Sequence, residues 1–141
     1  MTDFYRHEFE QMDSEFDDRS AEEMYEDFLE SVQKPNDEFV YYYGAYCDVM
    51  KELTTAAMNL FAWMAFRCEV NTGRVLIQSM TQRDAMKDLD ITISTFYKSL
   101  ALLKEKGMIK GSNAKYFVNP MYAWKGTAGM RSKFLKIYYK L

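Results

Sequence analysis

Histidine is almost absent from this chain of 141 residues: His7 stands alone, in an acidic stretch. One imidazole cannot build the His-rich metal site that usually accompanies a metal-assisted tyrosine nucleophile, however many tyrosines the chain carries. Cysteine is scarce as well. Cys47 and Cys68 are the only two, and neither sits in a metal-like pair. They read as small buried hydrophobes in a reducing compartment. No GxxxxGK loop is present to cradle nucleotide phosphates. No stretch resembles a signal peptide. The most apolar run, Ala56 to Phe66, is too short to span a bilayer and is interrupted by Asn59. The carboxylates gather near the N-terminus without the apolar framing that would raise a pKa. These absences predict a non-enzymatic protein with no metal and no cofactor, not in a membrane and located in the cytoplasm.

What is present is one domain's worth of apolar residues, 48%, enough for a single core. The formal net charge of −3 conceals a strong asymmetry. Residues 1–36 hold twelve acids against Arg6, Arg19 and Lys34, a net −9. Residues 91–141 hold ten Lys/Arg and one acid, Glu105, a net +9. A basic half beside an acidic one suits a polyanionic partner, because phosphate neutralisation by Lys and Arg drives affinity for nucleic acid. A solvated lysine-rich surface explains the same charges.

Residues 1–36 read as an acidic tail, yet Phe4, Tyr5, Phe9, Phe16, Tyr25, Phe28 and Leu29 interrupt the acids, and a purely solvating tail lacks aromatics. Ser20-Ala-Glu-Glu matches a capping box and predicts a short helix over 21–30. Residues 39–43 favour a strand, and 45–53 suit a short helix. Thr54 or Thr55 can cap a helix ending near Glu69, with Ala57, Leu60, Phe61, Met64 and Ala65 on one face. Trp63, Phe66 and Met58 make its other sides apolar, so this helix is expected to be buried all round. Val75 to Ile77 is a short strand.

Thr81-Gln-Arg-Asp starts a further helix, with Thr81 as N-cap, running to about Leu89. Asp90-Ile91 turns the chain. Thr92 then caps a helix over Ile93 to Lys106, closed by Gly107. On it Phe96, Leu100 and Leu103 share a stripe with Ser99 beside them. Thr92, Ser94, Thr95, Tyr97, Lys98 and Ala101 point outward. Short hydroxyls, a phenol and a lysine at a helix N-terminus suit phosphates and base edges in a major groove. Met108 to Lys110 and Lys115 to Val118 form a hairpin around Gly111-Ser-Asn113, with Lys110 and Lys115 near its tip. Helix, helix, hairpin is the order of a winged helix-turn-helix. The predicted fold class is thus mainly α with a small β-hairpin (α+β). The expected divisions are an acidic tail over 1–36, a winged-helix domain over 37–130 and a basic C-terminal helix over 131–141.

Leu89-Asp-Ile-Thr-Ile-Ser-Thr-Phe-Tyr-Lys-Ser-Leu-Ala-Leu-Leu-Lys-Glu-Lys-Gly-Met-Ile resembles the recognition-helix signature of bacterial winged-helix regulators. Tyr116-Phe-Val-Asn-Pro120, followed by Trp124-Lys-Gly126, is similar to the end of the RepL-type replication proteins of plasmids and phages. Asp90 stands where the family's turn usually has glycine, and Ile93 where a polar or basic residue is common. The resemblance spans roughly residues 50–130. It implies sequence-specific binding of double-stranded DNA in a bacterial cell, at a replication origin or in transcription control. Thr81, Gln82 and Arg83 would lie at the backbone beside the groove. Thr92, Ser94, Thr95, Tyr97 and Lys98 would serve the groove, and Lys110 with Lys115 would hold the wing. Partners would be the duplex and replication or transcription machinery. A homodimer is expected because a single winged helix buries modest area. The alternative is a winged-helix protein-interaction module that does not bind DNA, favoured by Ile93 and Leu102 if both are exposed. Residues 131–141 either pack on the core, form a dimer or extend the DNA contact through Arg131, Lys133, Lys136 and Lys140. The acidic tail is either an intramolecular DNA mimic over the basic face or an independent arm.

Overall fold

The computed structural model describes residues 18–32 and 39–141. It is a mixed α+β structure. The elements are α1 (Ala21–Glu30), β1 (Val40–Tyr42), α2 (Gly44–Val49), a 3-10 turn (Met50–Glu52), α3 (Thr55–Arg67), β2 (Arg74–Leu76), α4 (Ser79–Leu89), α5 (Ile93–Glu105), β3 (Ile109–Ser112), β4 (Lys115–Val118), β5 (Ala123–Lys125) and α6 (Ala128–Tyr138).

Side-chain caps set several of these helices. The hydroxyls of Ser20, Thr54, Thr92 and Thr127 accept from the backbone N–H of Glu23, Ala57, Thr95 and Met130, which satisfies an otherwise orphaned donor at each helix start. Asp90 ends α4 in the left-handed conformation, φ 52°. Aspartate takes that backbone at lower cost than most residues, so the turn forms without glycine. Gly107, φ 71°, performs the same service after α5.

β4 is the central strand of a three-stranded antiparallel sheet ordered β2–β4–β3. Its period-two alternation serves two cores. Val118 is buried and Tyr116 half-buried against the cluster of α3, α4 and α5, which contains Leu60, Phe61, Met64, Ala85, Phe96, Leu100 and Leu103. Phe117 points the other way, into a cluster with Met24, Tyr25 and Phe28 of α1 and Phe134, Ile137 and Tyr138 of α6. There Tyr25 meets Phe117 edge-on at 5.1 Å, and Phe28 stacks on Phe134 at 5.4 Å, geometries that aromatic quadrupoles favour. The Tyr25 hydroxyl donates to the Thr72 carbonyl at 2.9 Å, and burial raises its pKa above the ordinary phenol value. A two-stranded sheet, β1 with β5, pairs Tyr41 with Trp124. Asn71 joins the parts: its Oδ1 accepts from Thr127 N at 2.7 Å and its N–H donates to the Lys125 carbonyl at 2.8 Å. Beside it Gly73 has φ 68°, and the Phe134 ring fills the space a Cβ would need.

Several expectations are corrected. The helix expected over 21–30 forms with those bounds, but it is not part of a tail: Met24, Tyr25 and Phe28 are core residues packed with Phe117 and Phe134. Residues 1–17, and the rest of the expected tail at 33–36, lie outside the described residues. α4 starts at Ser79 rather than after Thr81, because β2 hands the chain straight into a helix whose first turn closes with Gln82 N donating to Gln78 O at 2.8 Å. α6 starts at Ala128 rather than 131, capped by Thr127. α3 is not buried all round: the expected face is buried, but Phe66 is 66% exposed. Leu102 is half-buried against the core rather than exposed. The hairpin turns at Asn113 and Ala114, both with positive φ, so β3 runs on to Ser112. That is the backbone a tight two-residue turn between twisted strands requires. Cys47, expected to be buried, is exposed; Cys68 is buried.

Two outcomes check this architecture. Phe28→Ala should cost about 3–5 kcal/mol in urea unfolding if α1 belongs to the core. A change under ~0.5 kcal/mol would mark α1 as a loosely attached arm. Burial pushes the Cys68 thiol up to about 12, so under native conditions an aromatic disulfide reagent should titrate one thiol per chain, and two after denaturation.

Candidate nucleic-acid interface

α5 is held by its buried stripe of Phe96, Ser99, Leu100 and Leu103. That anchoring fixes which residues face away. Thr92, Ile93, Ser94, Tyr97, Lys98 and Ala101 are exposed, and Thr95 is half-buried. The outward side of the N-terminal half carries no carboxylate. The helix N-terminus adds a partial positive charge there.

The two threonines do structural service as well. Thr92 Oγ1 accepts from Thr95 N at 3.3 Å and donates to Thr95 Oγ1 at 3.1 Å. α4 packs alongside α3, with Ala85 buried, and its first turn reaches α5 through Gln82. Arg83 is exposed; Thr81 and Gln82 are half-buried. Gln82 and Tyr97 meet across the two helices: Gln82 Nε2 lies 3.1 Å and Oε1 3.3 Å from the Tyr97 hydroxyl. Tyr97 also stands near Tyr116 of β4, whose phenol pKa is raised by burial and by that neighbour. The acids of α4 are partly engaged elsewhere. Asp88 accepts from Trp63 Nε1 at 3.0 Å and faces Arg67 at 3.6 Å.

The hairpin lysines are placed differently from the expectation. Lys110 and Lys115 lie on the sheet face that carries α1 and α6, away from the face packed on α5. Lys110 Nζ donates to the Tyr138 carbonyl at 2.8 Å and sits 4.7 Å over the Tyr138 ring. It is half-buried and committed to the C-terminal helix. Lys115 Nζ sits over the Phe117 ring at 5.7 Å. Both line an open groove of about 740 Å³ together with Glu22 and Glu26 of α1 and Lys104 of α5. Sequence reasoning placed these lysines correctly in the hairpin but could not tell which sheet face they occupy, because that depends on α1 and α6 covering one side. The ten candidate residues therefore divide. Thr81, Gln82, Arg83, Thr92, Ser94, Thr95, Tyr97 and Lys98 come together on α4 and α5, and Lys110 and Lys115 do not join them.

Arg131 is likewise internal: its guanidinium stacks on Tyr43 at 3.5 Å and its Nε donates to Pro120 O at 2.8 Å. Lys133, Lys136 and Lys140 are exposed. Sequence reasoning missed Met80, 77% exposed at the start of α4, and Leu76, 46% exposed at the end of β2. No periodic signal marks an apolar side chain left outside. The Gln82–Tyr97 pair was also invisible, since fifteen residues separate its members.

Among the described residues no group of three or more His, Cys, Asp or Glu is arranged to hold a metal ion. None of their helices is long and apolar enough to cross a membrane. No known protein-family model, curated protein or solved structure matches this chain.

The placement of the lysines yields a contrast in stability. Lys110→Ala should destabilise the protein by about 1–3 kcal/mol, since it strips a half-buried carbonyl of a charged donor. Lys98→Ala should change stability by less than ~0.5 kcal/mol. Equal effects in thermal or urea unfolding would mean that the faces of α5 and β3 are assigned wrongly.

Proposed function

We propose that this chain is a sequence-specific double-stranded DNA-binding protein of the winged helix-turn-helix type. The observation that carries the reading is the outward side of α5. Hydroxyls, a phenol and Lys98 project, without a carboxylate, from a helix N-terminus whose opposite stripe is locked into the core. Supporting it, the element order α3–β2–α4–α5–β3–β4 and the sheet order β2–β4–β3 are those expected of a winged helix. Asp90 to Thr92 connects the two helices in a tight turn, as a helix-turn-helix requires.

In this reading Arg83 and Lys98 meet phosphates, Thr81 and Gln82 lie at the backbone beside the groove, and Ser94 and Tyr97 approach base edges. Ile93 is exposed and suits a thymine methyl. Lys110 is not a phosphate contact, and any contribution from Lys115 comes from the far side of the hairpin. Such a contact would serve a plasmid or phage replication origin and transcription control equally, because both use the same surface. A homodimer would supply the second half-site that one such module needs for tight binding.

A second reading rests on Met80, Ile93 and Tyr97. All three are exposed on α4 and α5, and together they suit a protein partner on the same surface.

Anisotropy of a labelled random duplex separates the two. DNA binding predicts at least a tenfold loss of affinity between ~50 and ~200 mM salt, because counterions are released from the phosphates. Absence of binding at both salt concentrations would move the assignment to protein docking.

A further inference from the structure

The pairing of Gln82 with Tyr97 has a consequence for specificity, one that rests on the DNA-binding reading above. The Tyr97 hydroxyl is within hydrogen-bond reach of both amide heteroatoms of Gln82, Nε2 at 3.1 Å and Oε1 at 3.3 Å. It can accept from the nitrogen or donate to the oxygen. A glutamine amide has two N–H donors and two acceptor lone pairs. One bond to the phenol therefore leaves at least one donor and one acceptor on the amide. The amide is tethered from α5 although it is borne on α4, and Tyr97 itself is braced edge-on by the neighbouring Phe96 ring at 5.5 Å. Phe96 is fully buried. The chain of contacts thus runs from the core to an outward amide.

We propose that Gln82 and Tyr97 read one base pair as a unit, the Gln82 amide recognising an adenine in the major groove and the Tyr97 phenol positioning that amide. Adenine offers an acceptor at N7 beside a donor at N6, the complement of the donor and acceptor an amide presents. This moves Gln82 from a backbone contact to a base contact. It also gives Tyr97 a role that the phenol alone, with one donor, cannot fill. Holding the amide before binding lowers the rotamer entropy that recognition would otherwise cost.

The test uses the full chain and selection from a randomised duplex library. Wild type, Gln82→Ala, Tyr97→Phe and the double variant are compared, each with a thermal melt. The substitutions lie at the surface, so all four proteins should melt alike. The two single variants should lose preference for adenine at the same position, by about tenfold. The double variant should lose no more than Gln82→Ala alone. Relaxation at two different positions, additive losses, or a shared position that specifies a G·C pair would overturn the proposal while leaving DNA binding intact. A wild-type chain that binds no duplex at low salt would instead overturn the DNA-binding reading and this inference with it.

Discussion

The three-stranded sheet is covered on both faces, and the placement of everything else follows from that. A strand buried on two sides must be apolar at successive positions, and Tyr116, Phe117 and Val118 meet that requirement within four residues. One face fixes α5 through Phe96, Leu100 and Leu103. The other fixes α1 and α6 through an aromatic cluster around Phe134. Burial of so many rings on a short sheet compensates for strands of only three or four residues, which are marginal alone. The consequence for function is directional. Among the described residues, α1 and α6 pack on one side of the sheet, while the outward side of α5 stays exposed.

Much of this was legible in the sequence where local chemistry decides. The caps at Ser20, Thr54 and Thr92 announce their helices, because a hydroxyl beside a run of helix formers has few better uses. The stripe on α5 follows from helical spacing alone. Asp90 and Gly107 mark their turns by backbone conformation. The burial of Ala57, Leu60, Phe61, Met64 and Ala65 on α3 was legible in the same way.

What was hidden depends on long-range packing. Nothing within Ala123–Lys125 distinguishes a three-residue strand from a loop; its partner β1 lies about eighty residues earlier. The sequence of α1 reads as acidic because its charges outnumber its rings, yet Met24, Tyr25 and Phe28 decide its fate. Burying them gains more than leaving them with the acids in water. Lys110 is the clearest case. A lysine near a hairpin tip looks like a phosphate contact until the C-terminus of α6 is seen to supply its acceptors. The acidic-tail hypothesis divides in the same way. Glu22 and Glu26 of α1 line one groove with Lys104, Lys110 and Lys115, while residues 1–17 lie outside the described residues.

The proposed DNA-binding surface is formed by α4 and the N-terminal half of α5. Amide chemical-shift mapping of the full chain, titrated with a short duplex at low salt, tests it most directly. Perturbations should concentrate in residues 80–83 and 92–98, with the groove between α1 and the hairpin unaffected. Perturbations centred on Lys110, Lys115 and α1, or no perturbation at all, would contradict it.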